Sequence, residues 1–255
     1  MSSSGPLDGR RFAQVRSRVF PKLVAPHGFS GKGAKYVRHK GNQLHGILFQ
    51  GNKFGGDFTI NLGLSYDFTP PCWNYDDRPY EKYEDFDYGL NTRIGCFIGG
   101  DKWWPYGRDA EQCEEILRSV SKTCIAIFEK TEGNFADPLL LLEILNPKVM
   151  EGEVLRIIER RQDENGQDNE YGNLLAKLFP GSGYPCKCLF IMLIHTALKY
   201  GQIEKAKEYL KWADRAVTDH RKYEAHLRAL KRKLGMTTQD TVKSKSKPKD
   251  AEGKT

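Results

Sequence analysis

The sequence predicts an α+β fold in which an N-terminal helix and an antiparallel sheet of about four strands with a packed helix precede an all-helical C-terminal region and a disordered tail. Two observations predict it. Apolar residues alternate with period two within residues 34–99, whereas helical spacing occupies residues 10–24 and much of the chain beyond residue 109. Strands that are followed by helices, and do not alternate with them, are typical of α+β proteins.

The first element is an amphipathic helix over residues 10–24. Its apolar residues recur at helical spacing, while its arginines and lysines lie elsewhere on the helix. The residues of the apolar face are Phe12, Val15, Val19 and Leu23. Proline and glycines in the following stretch, PHGFSGKG, end the helix.

The predicted strands come next, and they cover residues 34–39, 44–50, 57–66 and 92–99. The third is the clearest, because its apolar and polar residues alternate strictly. Its apolar face consists of Phe58, Ile60, Leu62 and Leu64. The fourth strand, TRIGCFIG, should place Ile94, Cys96 and Ile98 on one face and close the sheet.

Helix-capping residues mark the helices that follow. Asp109, with Gln112 three residues later, predicts the start of the helix that packs on the sheet. Asp137, followed by Pro138 at the first helical position, predicts a second helix start. Gly201 divides a predicted helical hairpin over residues 186–216, and further helices are predicted over residues 151–161, 171–179 and 218–234.

These elements divide the chain into three predicted parts. Residues 8–132 form the α+β domain, and residues 133–235 form a helical extension. Residues 236–255 are rich in lysine and nearly free of apolar side chains, which predicts a disordered basic tail.

Several classes of protein are disfavoured by composition and motifs. No apolar run approaches the roughly 20 residues that span a bilayer, and the N-terminus lacks the apolar core of a secretory signal, so we expect a cytoplasmic protein without membrane contact. The six cysteines follow no disulfide or zinc spacing. No phosphate loop, esterase elbow or H-E-x-x-H motif occurs. We therefore expect no catalytic residues, no metal and no cofactor.

An acidic, aromatic stretch over residues 69–89 is the most unusual part of the sequence. It contains three prolines, six acidic residues and several tyrosines, and it follows no helical or strand period. A solvated loop, a protein interface and a carboxylate site for catalysis or metal binding all fit this composition, since tyrosine is favoured at interfaces. The candidate interaction surface consists of Tyr75, Asp76, Asp77, Tyr80, Tyr83, Asp85, Arg93, Trp103 and Trp104.

Trp103 and Trp104 are adjacent, and this determines the direction in which each ring can point. Neighbouring residues of an extended segment point to opposite sides, so both rings cannot enter the same core. We expect one of them to cap the core between sheet and helix. The other should face the acidic stretch or solvent.

A family resemblance emerges from the order of several short motifs. These are Gly28-Phe29, the strand Phe58–Gly63, Arg93–Gly95 and the pair Trp103-Trp104. In this order they resemble the bacterial domain of unknown function numbered 4304, over residues of about 10–130. The resemblance implies an α+β domain and is compatible with accessory or toxin-neutralising roles, but it supplies no catalytic residues.

Three hypotheses of function remain open at this point. The favoured one is a non-enzymatic protein that binds a protein partner, for example an immunity-type protein that masks a basic toxin with its acidic loop. The second is nucleic-acid binding through the basic N-terminal helix and C-terminal tail, because residues 1–40 carry nine Lys and Arg but one acid. The third is a hydrolase that uses carboxylates of residues 74–88 together with Arg93, although Arg93 is expected to pair with a carboxylate of that loop for structural reasons.

Overall fold

In a computed structural model of the chain, residues 6–70, 88–152, 179, 187–215 and 223–236 are described, and the statements below refer to them. The strands are β1 (Ser30–Lys32), β2 (Lys35–Lys40), β3 (Gln43–Gly51), β4 (Asp57–Tyr66), β5 (Leu90–Arg93) and β6 (Trp104–Pro105). The helices are α1 (Gly9–Val24), α2 (Gly95–Ile98), α3 (Ala110–Thr131), α4 (Pro138–Ile144), α5 (Lys187–Lys199), α6 (Ile203–Ala213) and α7 (Glu224–Lys233). Short 3₁₀ helices cover Ala25–His27 and Glu132–Phe135, and residues 147–152 are helical.

The strands form one antiparallel sheet in the order β1-β2-β3-β4-β5, and β6 pairs with the start of β4. β4 therefore pairs with three other strands, β3, β5 and β6. The α+β prediction is confirmed, but its count of about four strands is too low. The short strands β1 and β6 were missed because two or three residues are too few to display a period.

One face of the sheet, here called the helix face, is covered by α1 and α3. Phe12 of α1 stacks on Phe58 and on Tyr106, with ring centroids 4.8 and 4.4 Å apart. Phe20 of α1 lies edge-on to Phe49 at 4.7 Å. Aromatic pairs in this geometry contribute beyond their buried area, so these rings fix α1 on the sheet.

The opposite face of the sheet, here called the second face, has a notch that is filled by Tyr88. Gly46 of β3 and Gly63 of β4 are directly paired in register. A Cβ atom on Gly46 would lie 2.2 Å from Cζ of the tyrosine, and one on Gly63 would lie 2.3 Å from Cδ2. The ring therefore lies across both glycines, which are required because any side chain there would overlap it.

The C-terminal helices join the same hydrophobic core as the sheet. The hydroxyl of Tyr66, at the end of β4, donates to the carbonyl of Phe135 at 3.1 Å. The hydroxyl of Tyr209 in α6 donates to the carbonyl of Leu145 at 2.8 Å, next to the end of α4. Because one core includes both regions, no break in packing marks residue 132, and the division at that position stays a prediction.

The predicted helix starts and the helical hairpin are confirmed. The Asp109 side chain accepts a hydrogen bond from the Gln112 backbone at 2.9 Å, and that of Asp137 accepts one from Leu139 at 2.8 Å. Gly201 has a φ of 69° between α5 and α6, a conformation that glycine adopts without strain. The all-helical C-terminal region is thereby established for the described residues.

The fourth predicted strand is wrong beyond Arg93. β5 ends there, and Gly95–Ile98 forms the short helix α2. Cys96 and Ile98 are exposed and do not share a buried face with Ile94. A Cβ atom on Gly95 would lie 2.0 Å from the carbonyl oxygen of Gly100, so the chain folds back on itself at a glycine where the period-two pattern indicated continued strand.

Other predictions fall on residues outside the description. These are the acidic stretch apart from its two ends, the helices over residues 151–161 and 171–179 apart from their outermost residues, the first part of the helix over residues 218–234, and the tail beyond residue 236. In the described part of the chain, no helix is both long enough and apolar enough to cross a membrane.

We expect Gly63→Ala to lower the free energy of unfolding by about 1–3 kcal/mol, because the added methyl overlaps the Tyr88 ring. Urea denaturation measures the change. Gly133→Ala is the matched control, since nothing lies within 4 Å of its Cβ position. In a Tyr88→Ala background the Gly63 substitution should become neutral or stabilising. An equal cost in both backgrounds would contradict the role of the notch.

Candidate functional site

Arg93, Asp101 and Trp103 form a compact cluster at the end of β5. Nη1 of Arg93 donates to both carboxylate oxygens of Asp101, each at 3.0 Å. The indole Nε1 of Trp103 donates to Oδ2 of Asp101, also at 3.0 Å. The guanidinium carbon of Arg93 lies 5.3 Å from the centroid of the Trp103 ring, within the range of a cation–π contact. Each of the three side chains therefore restrains the other two.

The backbone of residues 94–102 brings Asp101 to Arg93. Gly95 allows the carbonyl of Gly100 to approach closely, and Gly99 and Gly100 have φ values of 88° and 84°. The hydroxyl of Thr59 in β4 then donates to the carbonyl of Lys102 at 2.8 Å, which ties this segment to the sheet. The spacing of glycines in RIGCFIGGDKWW is thus a requirement of the turn that builds the cluster.

The cluster lies on the second face of the sheet. Arg93 pairs in register with Asn61 of β4, and directly opposite residues of paired strands share a face. Asn61 in turn donates through Nδ2 to Oε1 of Gln50 in β3, at 2.9 Å. A polar row therefore crosses β3, β4 and β5 and ends at the Trp103 ring.

The two tryptophans lie on opposite sides of the sheet edge, in agreement with their alternation in the sequence. Trp104 pairs in register with Phe58, and the two rings stack with centroids 5.9 Å apart on the helix face. Trp104 is half-buried and packs against the core. Trp103 is also half-buried, but its contacts are with Arg93 and Asp101.

Electrostatics keep Asp101 ionised. Hydrogen bonds from Trp103 and then from Arg93 hold the pKa of the Asp101 carboxyl below its usual range. The carboxylate consequently holds no proton to donate at neutral pH, and it serves here as an acceptor for two neighbours.

Of the predicted site residues, Arg93, Trp103 and Trp104 are described, and the structure brings Arg93 and Trp103 together. Arg93 pairs with Asp101. The carboxylates of the loop with which the sequence suggested a pairing lie outside the described residues, so that pairing stays a prediction. The other six, Tyr75, Asp76, Asp77, Tyr80, Tyr83 and Asp85, lie outside the described residues. Asp101 was missed, because its role depends on the turn that returns the chain to Arg93.

A comparison with protein-family models matches the part of the chain that contains this cluster. Residues 20–132 match the domain of unknown function DUF4304. The match confirms the resemblance read from the motifs. It extends from within α1 to the end of α3, so the DUF4304 segment contains the whole sheet and the Arg93–Asp101–Trp103 cluster, while the helices after residue 132 lie beyond it. No curated protein and no solved structure matches the chain.

A second polar cluster of the DUF4304 segment is buried on the helix face. Arg38 donates to Nδ1 of His45 at 3.0 Å through Nε and to Glu132 at 3.0 Å through Nη2. With Nδ1 accepting, Nε2 of His45 carries the proton and donates to Gln43 at 2.8 Å. Burial, together with the charges of Arg38 and Lys40, lowers the pKa of His45 to about 3. These groups satisfy one another, and they join β2 and β3 to the 3₁₀ turn after α3.

A pair of histidines joins two C-terminal helices. Nε2 of His195 in α5 and Nε2 of His226 in α7 are 2.9 Å apart, so one ring donates a hydrogen bond to the other. Burial, reinforced by His226 and Lys233, lowers the pKa of His195 to about 3. In the described residues no three His, Cys, Asp or Glu side chains are arranged to hold a metal ion.

We expect the two tryptophans to differ when each is replaced by alanine. Trp104→Ala should cost about 2–3 kcal/mol of unfolding free energy, less than the roughly 3–5 kcal/mol of a fully buried ring, because Trp104 is half-buried. Trp103→Ala should cost about 1 kcal/mol or less, since it loses mainly a surface cation–π contact. Urea denaturation of both variants provides the measurement, and equal costs would show that this division of roles is wrong.

We also expect stability to fall as the pH drops from 7.5 to 5.5. The pKa values of His45 and His195 are lowered to about 3 in the folded protein, whereas an unfolded histidine has a pKa near 6.5. Their contribution is complete above about pH 6.5 and is lost below it, by up to about 1.4 kcal/mol per pH unit for each histidine. Denaturation curves measure the loss. Proton NMR of the two rings is the check, and a ring that titrates near pH 6.5 in the folded protein would contradict the expectation.

Proposed function

We propose that the protein is a non-enzymatic interaction protein, and that the Arg93–Asp101–Trp103 cluster is the centre of its protein-binding surface. The observation that supports this most directly is a tryptophan and an arginine held in one geometry at the surface. The side chain of Arg93 is 39% exposed and that of Asp101 is 56% exposed. Accessory and toxin-neutralising roles both belong to this class of function.

Residue types support the proposal. Tryptophan and arginine are the residues most enriched among those that dominate binding energy at protein interfaces. Such residues contribute most when little conformational freedom is lost on binding. Here Asp101 already fixes Trp103 through the indole nitrogen and Arg93 through Nη1, so much of that ordering precedes binding.

The surroundings of the cluster also suit a protein partner. The polar row of Gln50 and Asn61 continues the surface across the sheet, and Gln50 is exposed. Ile98, in the segment that joins Arg93 to Asp101, is 44% exposed and adds apolar area. A mixture of aromatic, arginine, amide and apolar groups resembles the composition of interface cores with polar rims.

The chemistry of the cluster favours recognition over catalysis. Arg93 and Asp101 compensate each other's charge, and the lowered pKa of Asp101 leaves it unprotonated at neutral pH. A general acid would need the opposite shift, towards the working pH. The hydrolase hypothesis is therefore the weaker one for this part of the surface.

The nucleic-acid hypothesis receives less support from α1 than its charge suggested. Arg16 lies over the rings of Phe12 and Phe49, at 5.4 and 5.2 Å. Arg18 pairs with Glu114 of α3 at 2.6 Å. These two arginines of the basic helix thus have partners within the chain, and the pairing of Arg18 with Glu114 offsets part of the positive charge that would attract phosphate groups.

The experiment compares affinity capture from host lysate by the full chain and by Trp103→Ala and Arg93→Ala variants. We expect a protein whose recovery falls by at least about tenfold with either variant, as for an interface residue that contributes 1.4 kcal/mol or more. Tyr200→Ala is the matched control, because Tyr200 is an aromatic residue with 38% exposure in the turn between α5 and α6.

Circular dichroism establishes that each variant is folded before its capture is compared. Recovery of the same proteins in the same amounts by the wild type and by both cluster variants would overturn the proposal. A protein that is lost with Tyr200→Ala but retained by the cluster variants would overturn it as well.

A further inference from the structure

The Arg93 guanidinium has one edge that the cluster leaves open. Its bonds to Asp101 are both made by Nη1. Within the described residues, Nε and Nη2 of Arg93 make no hydrogen bond, and the side chain is 39% exposed. Nε and Nη2 together form the side of a guanidinium that offers two parallel N–H donors.

We propose that this open edge binds a carboxylate of an acidic peptide segment, so that the partner presents aspartate or glutamate side chains to Arg93. The inference rests on the proposed function, because it names the partner chemistry of the same surface. Two parallel donors match the two oxygens of a carboxylate, and charge-assisted pairs of this kind are among the strongest hydrogen bonds in proteins.

The cluster prepares Arg93 for such a contact. Asp101 anchors Nη1, and the Trp103 ring supports the guanidinium at 5.3 Å. Both contacts restrict the long side chain before the partner arrives, which lowers the entropy lost on binding. Asp101 is accordingly a positioning residue, and Arg93 makes the contact.

Local charge favours an acidic partner over a basic one. Lys102 follows Asp101 directly and is exposed, and no acidic side chain in the described part of the chain pairs with it. Its ammonium lies 6.0 Å from the Trp104 ring, on the helix-face side of the sheet edge, whereas Arg93 lies on the second face. The sheet edge as a whole thus carries two cations and one carboxylate, with Arg93 and Asp101 paired on the second face and Lys102 on the side of Trp104. Opposite charge on the partner improves the encounter rate and the selection of partner.

Side-chain NMR of the full-length ¹⁵N-labelled protein tests the inference directly. The Nε–H signal of Arg93 and the indole signal of Trp103 are the reporters. The probes are acetylated and amidated Glu-Glu-Glu, Gln-Gln-Gln and Lys-Lys-Lys peptides and inorganic phosphate, all at one ionic strength. We expect a saturable shift of the Arg93 signal with the glutamate peptide and little response to the other three.

Two variants make the result specific. Arg93→Lys keeps the charge but loses the paired donors, so the affinity for the glutamate peptide, followed on the Trp103 signal, should fall about tenfold. Arg108→Lys is the matched control, because Arg108 is an exposed arginine whose contacts are with Gln112. Its affinity should equal that of the wild type. The backbone spectrum shows whether each variant remains folded.

Several outcomes would overturn the inference. An equal response to the glutamine peptide, or a stronger response to the lysine peptide, would exclude an acidic partner. Stronger binding of phosphate than of the glutamate peptide would assign the edge to a free anion. If Arg93 does not respond while capture still depends on Trp103, the carboxylate contact is wrong and the proposed function stands. If both experiments fail, both proposals are wrong.

Discussion

The alternation of β4 is the constraint on which the rest of the molecule depends. β4 pairs with β3, β5 and β6, so its pleat decides which side of the sheet each neighbouring residue takes. Phe58 and Tyr66 face the helices, where Phe58 stacks on Phe12 and Tyr66 bonds to Phe135. Thr59 and Asn61 face the other way and hold the segment that carries the cluster. A slip of one residue would exchange the two faces, so that Phe58 would leave the helices and Thr59 would turn towards them.

Sequence patterns correctly predicted the strands with hydrophobic alternation and the helices with a capping residue. The predictions failed where the backbone of one residue closely approaches that of another. The core residues of β4 and the starts of α3 and α4 follow from alternation and from Asp109 and Asp137. Residues 94–99 show the same alternation, yet they form a turn because the Gly95 position must admit the carbonyl of Gly100. Period alone does not reveal such an approach, since the residues that meet are separated along the chain.

The candidate site was partly predictable for a related reason. The opposite orientations of Trp103 and Trp104 follow from an extended backbone alone, so they could be inferred from the adjacency of the two residues. The role of Asp101 depends on a turn that returns the chain to Arg93. Neither hydrophobic periodicity nor composition predicts that turn. The pairing of Gly46 with Gly63 beneath Tyr88 was likewise hidden, because it requires the register of β3 on β4.

Net charge by segment is a poor guide to where cations are free to bind, because some cationic side chains are buried against partners within the protein. Arg38 of the basic N-terminal segment is buried, bonds to His45 and pairs with Glu132. Residues 41–217, by contrast, are acidic in sum, yet they contain Arg93 with one open edge and the exposed Lys102. A charged group that contacts an oppositely charged partner inside the molecule produces little electrostatic potential outside it. An exposed cation without such a partner attracts anions over about a Debye length. The charge that a surface of this protein presents therefore depends on which side chains have a counter-ion, and among the described residues at the sheet edge Arg93 has one whereas Lys102 does not.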